Sequence, residues 1–170
     1  MSGEGAPSLD IDGAGLTVEI VAASWHTEVM DGLIAGAIEA CVASGAGYRV
    51  FRVPGCFELP VVAEALARGG ADAIVALGVV VRGETPHFDF VAEATTRGLT
   101  DVARENVVAV GFGVLTCDTD AQARDRAALP GSKESKGREA VEAAIATARL
   151  LAGAPGGAGR KLTFSRARLP

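Results

Sequence analysis

Aromatic residues are scarce in this 170-residue chain: Phe, Tyr and Trp together make up 5%, with one tryptophan, Trp25. A core with so few large rings must be built from small side chains, and the abundance of Ala and Gly suits close packing of helices on a sheet. The three cysteines, Cys41, Cys56 and Cys117, are odd in number and form no CxxC. That argues against a disulfide framework or a cysteine zinc site and makes a reducing cytoplasm the expected setting. Only two histidines occur, His26 and His87, far apart and with no acidic cluster at ligand spacing, so no metal is expected. No apolar run reaches the roughly 18 residues of a membrane span, and residues 1–15 lack the basic-then-apolar order of a signal peptide. GxGxxG, the Walker A lysine motif and GxSxG are all missing, and no serine has an evident histidine partner.

What is present divides by charge. The chain holds 16 Lys and Arg against 21 Asp and Glu, a net charge of −5. Four of the basic residues, Arg160, Lys161, Arg166 and Arg168, fall in 153–170 with no acid beside them. The remaining body therefore carries 12 basic residues against 21 acidic ones, a net of −9. An acidic body argues against nucleic-acid binding by the folded part. The tail opens on Gly-Ala-Pro-Gly-Gly-Ala-Gly, a flexible linker composition, and is expected to be solvated and dispensable for catalysis. A basic arm for nucleic acid or a partner is the competing reading. Three regions follow: a leading segment 1–15, a domain 16–152 and a flexible basic tail 153–170.

Within 16–152 the pattern alternates. Residues 16–24 read as a first strand. From Thr27 the apolar residues Val29, Met30, Leu33, Ile34, Ala37, Ile38, Cys41 and Val42 recur at three- and four-residue spacing, one face of a helix that stops at Ser44-Gly45. Strands are predicted at 48–53, 71–81 and 107–116, and helices at 57–68 and 87–105. Asp118-Thr119-Asp120 caps a short helix running through Ala128, and a last helix runs over 134–151. This β-α-β-α-β-α-β-α-α order predicts a three-layer α/β/α, flavodoxin-like fold around a four-stranded parallel sheet.

The stretch 79–90 (VVVRGETPHFDF) organises the rest. A buried strand breaks at Arg82-Gly83, turns through Glu84-Thr85-Pro86 and enters a helix at His87. Free N–H groups and a positive dipole end make this an anion site with a proton carrier beside it. An ordinary β-to-α turn with a surface histidine fits the same residues. In such sheets the site lies beyond the carboxyl ends of the strands, where Ser24-Trp25-His26, Pro54-Gly55-Cys56-Phe57-Glu58, 82–87 and Cys117-Asp118-Thr119 converge. Trp25 suits stacking on a planar heterocycle, or packing as a lid on the first helix. Glu58 suits hydrogen bonding to ligand hydroxyls, or simple pairing with a helix dipole. These residues alone reach a phosphate-and-heterocycle site with one histidine, and no reaction.

The segments RVPGCFELP at 52–60, ALGVVVRGETPHFDF at 76–90 and GVLT at 113–116, with DRA at 125–127 and SKG at 135–137, resemble the hallmark stretches of the 6,7-dimethyl-8-ribityllumazine synthase family. The likeness runs in order from about Leu16 to Leu151. It implies condensation of 5-amino-6-(D-ribitylamino)uracil with 3,4-dihydroxy-2-butanone 4-phosphate, the penultimate step of riboflavin synthesis, with no metal and no organic cofactor. It also implies roles. Trp25 would stack on the pyrimidine. Cys56, Phe57 and Glu58 would hold the ribityl chain, and the backbone of Val79, Val80 and Val81 would read the pyrimidine edge. Gly83, Glu84 and Thr85 would form the phosphate turn, with Arg126 and Lys136 as basic partners. His87 would be the general acid/base, and Phe112 the aromatic that a neighbouring subunit contributes. Asp89 offers His87 an orienting carboxylate, although residues two apart on a helix do not face each other.

Three positions depart from the commonest pattern: His26 stands for asparagine, Cys56 for alanine, and Glu84 puts an acid in the phosphate turn. The resemblance further implies a cytoplasmic homo-oligomer acting on small molecules, with active sites at subunit interfaces and riboflavin synthase as a candidate partner. The segment before Leu16, with Leu9 and Ile11, is expected to lie along a neighbour's sheet. The link at 129–135, lengthened and stiffened by Pro130, resembles that of family members that stop at a pentamer rather than closing into an icosahedral shell. A non-catalytic flavin- or lumazine-binding relative, or a shell subunit, is the competing functional class; the presence of His87, Arg126, Thr85 and Glu58 favours the enzyme.

Overall fold

The structure, a computed structural model, describes Leu9 and residues 11–154; the calls on the basic tail and on most of the leading segment fall outside the described residues. Strands β1 (Thr17–Ala23), β2 (Gly47–Val53), β3 (Ala73–Val81) and β4 (Ala109–Cys117) form one sheet in the order β2-β1-β3-β4. Every pairing is parallel, with Val18 opposite both Tyr48 and Ala73, and Val81 opposite Cys117. Helices α1 (Thr27–Ser44), α2 (Leu59–Arg68), α3 (His87–Asn106), α4 (Asp120–Arg124) and α5 (Lys136–Gly153) complete the domain. This is the expected flavodoxin-like arrangement, and its switch point lies between β1 and β3.

Two apolar layers sandwich the sheet. Val29, Met30, Leu33 and Cys41 of α1 and Val141, Ala144 and Ile145 of α5 cover one face. Leu59 and Ala63 of α2 and Leu99 and Val102 of α3 cover the other. Strand β1 is buried from Val18 onward, as a central parallel strand must be. Strand β2 lies at an edge and leaves Tyr48 and Val50 exposed. The buried Glu19 is matched across the strands by Arg49, whose Nε approaches its carboxylate oxygens at 2.9 and 3.1 Å.

The shortage of large side chains has a geometric counterpart. Helix α5 crosses α1 so closely that a Cβ on Gly137 would sit 2.0 Å from the Leu33 carbonyl oxygen, and α5 crosses β4 so that a Cβ on Gly111 would sit 2.1 Å from that of Ala140. Backbone, unlike a side-chain tip, cannot step aside. Gly137→Ala should therefore destabilise the fold by about 1–3 kcal/mol or more, read as a lower midpoint in denaturant. An unchanged midpoint would contradict the close crossing.

Several boundaries shift from the sequence expectation, each for a local reason. The second helix opens with a 3₁₀ turn, Cys56–Glu58, because the Glu58 carboxylate folds back onto the Gly55 N–H at 2.8 Å. Val107 takes a left-handed φ of 51° as the cap of α3, so β4 starts two residues late. Helix α4 stops at Arg124 rather than at Ala128. Beyond it the chain turns back, with Lys133 and Glu134 N–H groups on the Asp125 carbonyl and Ala127 bridged to Ser135. Helix α5 accordingly begins at Lys136.

Candidate active site

The carboxyl ends of the strands open into a cleft of about 640 Å³. From β1 come Trp25 and His26. Trp25 is 71% exposed, and its indole lies over Gly55, where a Cβ would meet Cδ1 at 3.6 Å. His26 caps α1 in the left-handed region, φ 58°, and its Nδ1 lies 3.4 Å from an Asp120 carboxylate oxygen at the start of α4. A non-glycine residue held there is strained, and such strain collects at functional sites.

The 3₁₀ turn supplies Cys56, Phe57 and Glu58 to the same cleft. One oxygen of the Glu58 carboxylate accepts from the Gly55 N–H, while the other has no partner among the described residues. Cys56 is accommodated because Gly78 lies beneath it; a Cβ on Gly78 would come 2.5 Å from the sulfur. Its thiol points at the Val79 carbonyl at 3.6 Å, and the buried Thr95 hydroxyl donates to the Cys56 carbonyl at 3.1 Å. Thr95 is a support that the sequence offers no way to find, since a threonine inside an amphipathic helix reads as surface. Burial pushes the Cys56 thiol up to about 11, with a backbone hydrogen bond at Val79 opposing and Glu58 adding a little, and burial takes Cys41 to about 11 as well. Alkylation of the native chain at pH 8 should therefore be slow at both and quicken as pH nears 11. Rapid labelling of Cys56 at pH 8, followed by mass spectrometry, would contradict the buried geometry.

Val79, Val80 and Val81 line the floor, and His87 with Val91, one turn further along α3, closes the side. Between floor and helix runs the turn 83–86, fully exposed. Among the described residues the N–H groups of Gly83, Glu84 and Thr85 have no hydrogen-bond partner. The Asp89 carboxylate does not turn toward His87; it pairs with Arg82 Nη1 at 3.3 Å.

Phe112, Arg126 and Lys136 lie elsewhere. They line a second hollow of about 370 Å³ along β4, with Thr116 and Gln122. Arg126 Nη1 donates to the Gln122 carbonyl at 2.8 Å. Burial would lower the Lys136 ammonium, but carboxylates of Glu134 at 2.8 Å and Glu139 at 2.7 Å outweigh it and hold its pKa above the ordinary lysine value. One chain thus brings Trp25, Glu58 and His87 to one cleft, and places Arg126 and Lys136 along another. A third hollow, of about 520 Å³ around Glu19, Arg49 and Asp72 at the opposite ends of the strands, holds none of the site residues. Among the described residues no group of three His, Cys, Asp or Glu is placed to hold a metal, and no helix is long and apolar enough to cross a membrane.

Comparison with known proteins bears on the same stretch of chain. The family described as 6,7-dimethyl-8-ribityllumazine synthase matches residues 15–152. A protein of that name from Kineococcus radiotolerans is 59% identical over 154 residues, 90% of this chain and 96% of the relative. One from a Nocardioides species is 61% identical over 153 residues, covering 89% and 95%, and one from Streptomyces avermitilis is 59% identical with the same coverage.

Proposed function

The chain belongs to the 6,7-dimethyl-8-ribityllumazine synthase family, and from that premise we propose how its residues divide the reaction. The enzyme condenses 5-amino-6-(D-ribitylamino)uracil with 3,4-dihydroxy-2-butanone 4-phosphate, releasing phosphate and water. The ring of the uracil stacks on Trp25, the backbone of Val79–Val81 reads its edge, and the ribityl hydroxyls reach the free oxygen of Glu58. The observation that carries this division is that all these groups and His87 line one cleft.

The butanone phosphate enters beside the turn 83–86, whose unpaired N–H groups and helix end receive the anion. The carboxylate of Glu84, on an exposed turn, is free to face water. His87 then moves protons at three points. It passes one from the attacking amine toward the hydroxyl that leaves as water when the imine forms, removes the one on the carbon adjacent to that bearing the phosphate as phosphate departs, and returns one as ring closure expels a second water. Holding both substrates against one another supplies much of the rate, since the amine and the ketone already react with each other.

The phosphate's cationic partner comes from a second copy of the chain. Arg126, with Phe112 and the neutralised Lys136, lies in the hollow along β4, away from the turn it is to serve. An edge strand that exposes Tyr48 and Val50 also asks for a cover. The assembly we assign is a free homopentamer, because the hydrogen-bonded link between α4 and α5, with Leu129 N–H on Ser132 Oγ at 2.9 Å, is bulky where shells require close approach. The cytoplasm is its setting, and riboflavin synthase, which takes the product, is its candidate partner.

One experiment tests site and assembly together. The purified protein is mixed with the two substrates, lumazine absorbance is followed, and the particle mass is read by light scattering. Turnover by a particle of pentamer mass is expected. Full turnover by isolated monomers would overturn the shared site, and a megadalton particle would overturn the free pentamer.

A further inference from the structure

Arg82 opens the turn 83–86, and nothing above assigns it a role. Its backbone N–H is tied to the Cys117 carbonyl at 2.9 Å, joining the end of β3 to the end of β4. Its side chain crosses the turn. Nε donates to the Asp118 carboxylate at 2.8 Å, Nη1 reaches Asp89 at 3.3 Å, and the guanidinium carbon lies over the Phe88 ring, 4.1 Å from its centre. Phe88 and Asp89 are the two residues that follow His87. Four residues, 83–86, separate Arg82 from that histidine, and among the described residues the first three make no hydrogen bond through their N–H groups.

We propose that Arg82 is a positioning residue that staples the turn 83–86, fixing at once the direction of the N–H groups that receive the phosphate and the placement of His87. The inference rests on the function assigned above and adds a residue to it. Two carboxylates already neutralise the guanidinium, so it is not itself the phosphate's partner. A planar fork can serve two carboxylates and stack on a ring in one geometry, which a lysine ammonium cannot. Arg82 and both of its carboxylate partners are exposed, and exposed ion pairs add little to stability. The staple therefore affects geometry far more than folding.

The test compares the wild type with Arg82→Ala, Arg82→Lys and Asp118→Asn. Each is measured for kcat, for the KM of both substrates, for thermal unfolding, and for direct binding of inorganic phosphate by calorimetry. A misplacement of about 1 Å near the chemistry can cost on the order of 10²-fold. Arg82→Ala should lower kcat and phosphate affinity each by about 10-fold to 10²-fold, while the KM for the pyrimidine substrate and the unfolding temperature stay put. Arg82→Lys should recover little, and Asp118→Asn, which keeps shape and an acceptor oxygen but removes one charge, should fall between. Wild-type kcat and phosphate affinity in Arg82→Ala would overturn the proposal. So would losses that track a falling unfolding temperature and vanish in Arg82→Lys. A wild-type chain that forms no lumazine would strike instead at the functional assignment, and the phosphate titration, which needs no turnover, would still judge the staple.

Discussion

Replacing His87 by alanine lowers kcat about 10-fold to 10²-fold and leaves the KM of both substrates near the wild-type value. General acid–base catalysis typically contributes 10²–10⁴-fold, and the lower end applies here because water can carry protons into an open cleft. His87 is exposed at the first position of α3, so its loss removes a proton carrier without opening the core. It lines the cleft with Trp25 and Glu58 but shares none of their hydrogen bonds, which is why substrate affinity is expected to hold. Stopped-flow absorbance at saturating substrate gives the number. A normal rate in His87→Ala would remove the acid/base assignment.

Arg126→Ala behaves in the opposite way. The KM for the butanone phosphate rises about 10-fold to 10²-fold, the worth of a charge-assisted hydrogen bond of about 1.5–3 kcal/mol, and kcat changes less. The more telling experiment mixes the two defects. If His87 and Arg126 of one site come from different chains, co-expressed His87→Ala and Arg126→Ala subunits form some sites with both residues intact. In a random equal mixture that is about a quarter of the sites. Activity in the mixture should then exceed that of either variant alone, measured at low phosphate substrate where both are poor. No gain on mixing would place both residues in one chain's site and contradict the two-chain reading.

How far the sequence carries depends on the physics of each element. The strands were readable because parallel strands buried on both faces are continuous apolar runs, and α1 because its apolar face repeats every three to four residues. Strand ends then pointed to the cleft through topology, and Trp25, Glu58 and His87 line it, whereas Cys117 lines the hollow along β4 instead. What could not be read was set by backbone conformation at single residues. His26, Val107 and Ala128 adopt left-handed φ angles without being glycine, and each moves an element's end or aims a side chain. The partner of Asp89 was equally out of reach. Sequence spacing offers His87 two residues back, whereas the structure brings Arg82 across the turn to take the carboxylate. The separation of Arg126 from the turn 83–86 depends on which hollow the end of β4 faces, and no local pattern encodes that.

The contact between Gly137 and Leu33 bears on how the chain assembles. It joins the first helix to the last, so the face of β1 and β3 that α1 shares with α5 stays partly uncovered until nearly the whole domain has left the ribosome. Contacts between distant parts of a chain form slowly, because the loop they close must be ordered before they repay it. The α2–α3 side, built from neighbouring segments around the β1–β3 pair, can form first. The α1–α5 side closes last. A chain interrupted before α5 would present a wide strip of Val, Leu and Met side chains to its neighbours, and nascent copies held close together would be prone to clump there before they could dock correctly.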